Sequence, residues 1–217
     1  MIHTIVFDMD GTLIDTEALI IKIWKKIAER ENIPDIENTL MQCIGITEPE
    51  TRAIFCKVYG KDFPYQEYRA MAFKLFHEEM DKNGVPLKPG VHELFDFLRK
   101  TNWKIGLASS TKESAVRKEM ASIGILEDFQ VLVCGDMISH SKPHPEIFLK
   151  ACELLGENPS ECYAVEDSTN GIRSAYQAGM KPVMIPDLVK PDDTIKQMLF
   201  QEFKTLLELR DFLAGSL

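Results

Sequence analysis

Two aspartates, Asp8 and Asp10, stand one residue apart in the run Phe7-Asp8-Met9-Asp10-Gly11-Thr12. They follow a short apolar run, Ile2 to Phe7, that reads as a buried strand. Two carboxylates this close repel, so one holds a proton unless a cation neutralises the pair. Magnesium suits such oxygen ligands. Gly11 and Thr12 supply a tight turn whose free N–H groups can grip a phosphate. The competing account is an Asp-rich turn that simply caps a strand, because short Asp/Gly motifs are common.

Three further strand ends add chemistry. Leu107-Ala108-Ser109-Ser110-Thr111 brings hydroxyls and backbone donors for phosphate oxygens, although a serine here can also cap the helix starting near Lys112. Ser141-Lys142-Pro143-His144-Pro145 places a lysine just before a helix, with prolines fixing its approach. A lone lysine is usually solvated, and His144 reads as structural. Val165-Glu166-Asp167-Ser168 puts a second acid pair at the end of another apolar run, where an unpartnered carboxylate is costly. Acid pair, hydroxyls, lysine and acid pair therefore recur in order at four strand ends.

The elements that must position these groups are legible as short apolar runs. Besides the first they are Trp103 to Ala108, Val131 to Cys134, Tyr163 to Val165 and Val183 to Ile185. Each is too short for a helix and is bounded by turn formers, as buried parallel strands are. Amphipathic stretches lie between them: Val91, Leu94, Phe95 and Leu98 form one stripe, and Ile147, Phe148, Ala151, Leu154 and Leu155 another. Alternating strand and helix implies an α/β fold with a Rossmann-like, doubly wound parallel sheet. Ligands of such sheets bind at the carboxyl ends of the strands.

One segment breaks the rhythm. From Thr16 to Pro86 there are helical patterns and no convincing strand. Leu19 to Ile27 is one helix, a second starts near Thr47, whose spacing to Glu50 fits a capping box, and a third spans Tyr65 to Met80. The expected organisation is an α/β core of residues 1–15 and 87–217, with an all-helical domain of residues 16–86 inserted after the first strand.

Composition bounds the function. The 217 residues suffice for a core with a modest second domain. A net charge of −9 argues against nucleic-acid and anionic-membrane partners, while one metal or a few cations can still hold an anionic substrate. Five widely spaced cysteines without a CxxC pair are neither a disulfide framework nor a zinc site. No signal peptide or membrane span is expected, because Asp8 ends the first apolar run early and no window is long and apolar enough. The expected location is the cytoplasm, and the expected state a monomer.

Together the four motifs, Asp8-Met9-Asp10-Gly11-Thr12, Ser109, Lys142-Pro143 and Glu166-Asp167, resemble those of the haloacid dehalogenase superfamily, within it the β-phosphoglucomutase-like phosphatases. The resemblance runs along essentially the whole chain. It implies that Asp8 is a nucleophile forming an aspartyl-phosphate and that Asp10 is the acid and then the base. It implies phosphate binding by Ser109, Ser110 and Lys142. It also implies a magnesium ion held by Asp8, the Asp10 main chain and Asp167, with Glu166 nearby, and a helical cap that closes over the site. A dehalogenase is disfavoured, because those members usually lack the second aspartate.

The resemblance further bears on the phosphoryl acceptor. β-Phosphoglucomutases carry a histidine where this chain has Ile20, and basic residues flanking the cap loop that here reads Cys43-Ile44-Gly45-Ile46-Thr47-Glu48. Arg52 is the nearest substitute. The expectation is a phosphatase acting on a small phosphomonoester such as a sugar phosphate, with a phosphomutase as the alternative. A phospho-accepting signalling module like a receiver domain shares the residue types. The insert of about 70 residues and the Asp-x-Asp on the first strand count against it.

Overall fold

The computed structural model describes residues 3–43 and 48–215. Ile2, the proposed cap at Thr47 and most of the loop around Gly45 lie outside them. The chain divides into two compact units, Met1–Ile14 with Leu87–Leu217, and Asp15–Pro86.

The first unit is built on a six-stranded parallel sheet. In chain order its strands are β1 (Thr4–Phe7), β2 (Lys104–Ala108), β3 (Val131–Val133), β4 (Cys162–Glu166), β5 (Lys181–Met184) and β6 (Gln201–Glu202). Their spatial order is β3-β2-β1-β4-β5-β6, so the chain winds outward from β1 in one direction and then returns to wind the other way. The ends of β1 and its neighbours thus flank a topological switch point, where α/β proteins bind ligands.

Helices cover both faces, because residue alternation along β1 sends Val6 and Phe7 opposite ways. Val6 joins a buried cluster with Ile147, Phe148, Ala151 and Cys152 of helix α7 (Glu146–Leu155) and Ala175 of α8 (Thr169–Gln177). Phe7 packs its ring 5.5 Å from that of Phe95, on α5 (Val91–Lys100). All four stripe residues of α5 are buried, as its spacing predicts. On α7 the buried face is centred on Phe148, Ala151, Cys152 and Leu155, which leaves Leu154 on the rim at 56% exposure.

The sequence pattern did not disclose β6, whose two residues are polar and exposed at the sheet edge. The remaining helices of this unit are α6 (Glu113–Ser122), α9 (Asp193–Lys196) and α10 (Leu206–Ala214).

The regular elements among the second unit's described residues are all helices: α1 (Thr16–Glu31), α2 (Ile36–Met41), α3 (Glu48–Tyr59) and α4 (Tyr65–Asn83). Its core is aromatic. The Phe55 ring lies 5.0 Å from both Trp24 and Tyr65, with Ile23, Ile27 and Ala72 buried around them. Ile20, on α1, packs against this cluster. The six-residue α2 is too short to show a helical period and was not expected.

Candidate active site

Sheet register brings the ends of β1, β2 and β4 to one level, whereas Lys142, expected at a strand end, lies in the loop nine residues past β3. Phe7 pairs with Leu107 on β2 and Val165 on β4, so the next residue, Asp8, emerges beside Ala108 and Glu166. The Asp8 N–H extends the ladder by donating to the Val165 carbonyl at 2.9 Å. Asp8 is 7% exposed and Glu166 1%.

Lys142 ties these ends together. From the loop before α7 its Nζ donates to Asp8 Oδ1 at 2.5 Å, to Glu166 Oε1 at 2.6 Å and to the Ala108 carbonyl at 2.9 Å. Its side chain is 8% exposed and lies over the Phe148 ring, 5.0 Å from the centroid. Three acceptors match the three protons of an ammonium, so none is left unpaired in a dry site. Burial works against the charge, but Asp8 and Glu166 overcome it and raise the Lys142 pKa. Burial pushes the Asp8 carboxyl well above the usual carboxylate range; Lys142 opposes the rise, while Glu166 and Asp10 add to it. Asp8 therefore sits where one more cation would favour its ionised form.

The acid pair after β4 is held from two sides. Glu166 Oε2 accepts from the Ser168 N–H at 3.3 Å and its hydroxyl at 3.0 Å, and the same hydroxyl caps α8 by accepting from Gly171 N–H at 3.0 Å. Asp167 Oδ1 accepts from the Thr12 hydroxyl at 3.2 Å. Two glycines make room. A side chain at Gly171 would overlap the Glu166 carboxylate, and one at Gly11, whose φ is +79°, would overlap that of Asp167. Neither packing role is visible without the fold.

Carboxylate oxygens of Asp8, Glu166 and Asp167 all lie within 4.8 Å of one another. A buried, all-oxygen donor set of this kind fits a hard divalent cation such as magnesium. The Asp10 side chain is outside this trio. Its Oδ2 instead accepts from the Thr111 hydroxyl at 2.9 Å. Ser109 is fully buried and its Oγ accepts from the Thr111 N–H at 3.0 Å, whereas Ser110 is exposed. All the sequence-selected residues thus belong to the β1, β2 and β4 ends or the lysine loop, and Lys142 joins Asp8 to Glu166 directly.

Sequence reasoning missed Glu119. It lies on α6 with Val116 and Met120, 7% exposed, an acid on an otherwise apolar face. Burial, with the nearby Asp10 charge, pushes its carboxyl up to about 7. Unfolded, such a group titrates near 4.5, so its cost to the fold appears as pH rises from there and is complete above 7. Glu119→Gln, neutral and of the same shape, should gain about 1–3 kcal/mol over the parent at pH 8 beyond its gain at pH 5. Urea unfolding at the two pH values measures this, and an equal gain at both would contradict the shift.

Comparison with known proteins shows the family. The family model for haloacid dehalogenase-like hydrolases matches residues 5–185. A Thermotoga maritima phosphorylated carbohydrates phosphatase is 29% identical over 184 residues, 83% of each chain. The Bacillus subtilis β-phosphoglucomutase is 29% identical over 223 aligned positions, covering 92% of this chain and 95% of that one. Among solved structures, CbbY from Rhodobacter sphaeroides in complex with phosphate superposes with a TM-score of 0.74 at 24% identity, covering 96% of both chains. No helix among the described residues is long and apolar enough to cross a membrane. The chain belongs to the haloacid dehalogenase-like hydrolases and is an enzyme of the phosphatase type.

Proposed function

We propose that this enzyme is a magnesium-dependent phosphatase that hydrolyses a small phosphomonoester, in particular a sugar phosphate, through a phosphorylated Asp8. The observation that carries the reading is the Lys142 ammonium held between Asp8 and Glu166 at 2.5 and 2.6 Å, beside the acid trio. That arrangement presents a carboxylate and a fixed cation to one phosphoryl group.

An Asp8 oxygen attacks phosphorus, and the bond from phosphorus to the ester oxygen breaks. Asp10 gives its proton to the departing alkoxide. The same carboxylate then takes a proton from water, whose oxygen attacks the phosphoryl group on Asp8 and frees inorganic phosphate. Ser109, Ser110 and Lys142 bind the non-bridging oxygens as charge shifts among them. Asp8, Asp167, Glu166 and the Asp10 main-chain carbonyl would hold the magnesium ion. When bound, it supplies the positive charge that lets an anionic nucleophile approach an anionic phosphoryl group.

We assign residues 1–15 and 87–217 to the catalytic core and choice of substrate to a cap of residues 16–86. Ile20 packs against the aromatic cluster of the helical unit, where the mutases are expected to present a histidine. That favours water as acceptor. The β-phosphoglucomutase relative supports phosphomutase as the second reading. Support for a sugar phosphate comes from the carbohydrate phosphatase relative.

A panel of phosphorylated sugars and other metabolites, assayed for phosphate release with magnesium and with EDTA, tests both. The expected result is magnesium-dependent release from a subset of sugar phosphates. Rapid conversion of β-glucose 1-phosphate to glucose 6-phosphate on adding glucose 1,6-bisphosphate would select the mutase. A blank panel would overturn the small phosphorylated metabolite as substrate.

A further inference from the structure

The segment His140-Ser141-Lys142-Pro143-His144-Pro145-Glu146 carries a second group of metal-ligating side chains. It sends Lys142 inward, and leaves the side chains of His140 and His144 64% and 51% exposed. One ligand atom from each of His140, His144 and Glu146 lies within 4.8 Å of the others.

The details favour a cation. Glu146 Oε1 accepts from the Ser139 N–H at 2.7 Å, and Oε2 accepts from the His140 N–H at 2.9 Å. These bonds aim the carboxylate, as outer partners do for metal-bound carboxylates. From Oε2, the His140 Nδ1 is 2.8 Å away and the His144 Nδ1 4.0 Å. Bonds of about 2.0–2.1 Å at a tetrahedral angle put ligand atoms about 3.3 Å apart, between the two observed separations. His144 Nδ1 accepts from the Glu146 N–H at 3.3 Å, so closing the difference by rotating the exposed imidazoles exchanges that bond for the cation. Their rings are already 4.5 Å apart between centroids.

We propose that His140, His144 and Glu146 bind a zinc-class divalent cation, with water completing its coordination. Two imidazoles and one carboxylate suit zinc, whereas the all-oxygen trio at the strand ends suits magnesium. The site is thus separate in both place and chemistry from the one proposed for catalysis, and its existence does not depend on that function. The competing account is a clip, in which Glu146 only fastens loop N–H groups at the start of α7 and the histidines are solvated. A clip needs no cation.

Calorimetric titration of zinc into the full chain, with magnesium in excess, separates the two. The expected result is one binding event per chain, weakened at least about 100-fold in His140→Ala/His144→Ala and kept in His77→Ala, because loss of ligands outweighs loss of their orienting partners. His140→Gln and His144→Gln, tested singly, are expected to weaken binding individually and guard against misfolding of the double variant. Cobalt should give the visible absorption of a tetrahedral site, lost in the same variants. Zinc binding unchanged in the double variant, or no binding at all, would overturn the proposal. So would binding abolished by Asp167→Asn, which would place the ion at the strand ends.

Discussion

Asp8→Asn should abolish phosphate release, lowering kcat by roughly 10⁴-fold or more, as losing a covalent nucleophile does. The amide keeps the shape of the side chain and can still meet Lys142, but it offers no anionic oxygen to phosphorus. The fold should not suffer. Asp8 is buried close to the Glu166 and Asp10 charges, and burial already pushes its carboxyl upward, so a neutral replacement relieves repulsion. The expected variant is therefore dead and at least as resistant to urea as the parent. This pairing separates loss of chemistry from loss of structure. Mass analysis of rapidly quenched parent enzyme should reveal a phosphoryl adduct on the peptide carrying Asp8, absent from the variant. Turnover retained to within about tenfold would remove Asp8 from the role of nucleophile, since no covalent route survives without it.

What made Asp8 legible is the abruptness of its setting. Ile5, Val6 and Phe7 are fully buried, and an acid that ends such a run must face either a partner or a ligand. The same contrast exposed Glu166 at the end of β4. The apolar runs disclosed five strands because strands buried on both faces leave continuous hydrophobic sequence. They could not disclose β6, where Gln201 and Glu202 pair along an exposed edge through backbone alone. Nor does local sequence say what Lys142 reaches. Its partners Asp8 and Ala108 are 134 and 34 residues away, and only the sheet register makes them neighbours. Gly11 and Gly171 belong to the same class, since what a Cβ would strike is a property of the packed molecule. Glu119 differs: an acid on the buried face with Val116 and Met120 is readable from helical spacing alone.

Lys142→Met should be nearly as damaging as loss of the nucleophile, for two reasons that a single assay would merge. Methionine retains an unbranched stem that can lie on Phe148 and fill the space, so packing is largely kept. The charge is not. A phosphoryl group loses a fixed cation at its oxygens, and removing one such donor typically costs about 10²–10³ in kcat. Asp8 also loses a neighbour whose charge opposes the rise in its pKa, so less of it is ionised. A combined loss on the order of 10³-fold or more is expected. Stability changes as well. Removing one partner from a buried ion pair typically costs about 3–5 kcal/mol, because the remaining charge is stranded. Here the stranded group is an acid that can protonate. In the unfolded chain Asp8 ionises near its ordinary value of 3.8, while in the folded variant it resists ionisation. Parent and variant share that unfolded value, so the deficit relative to the parent opens as pH rises through the parent's own raised Asp8 pKa, and it shrinks on acidification. Urea unfolding in EDTA at pH 5 and pH 8 should show the larger deficit at pH 8. A deficit independent of pH would mean that Lys142 acts through packing alone, and its ammonium would no longer account for the juxtaposition of Asp8 and Glu166.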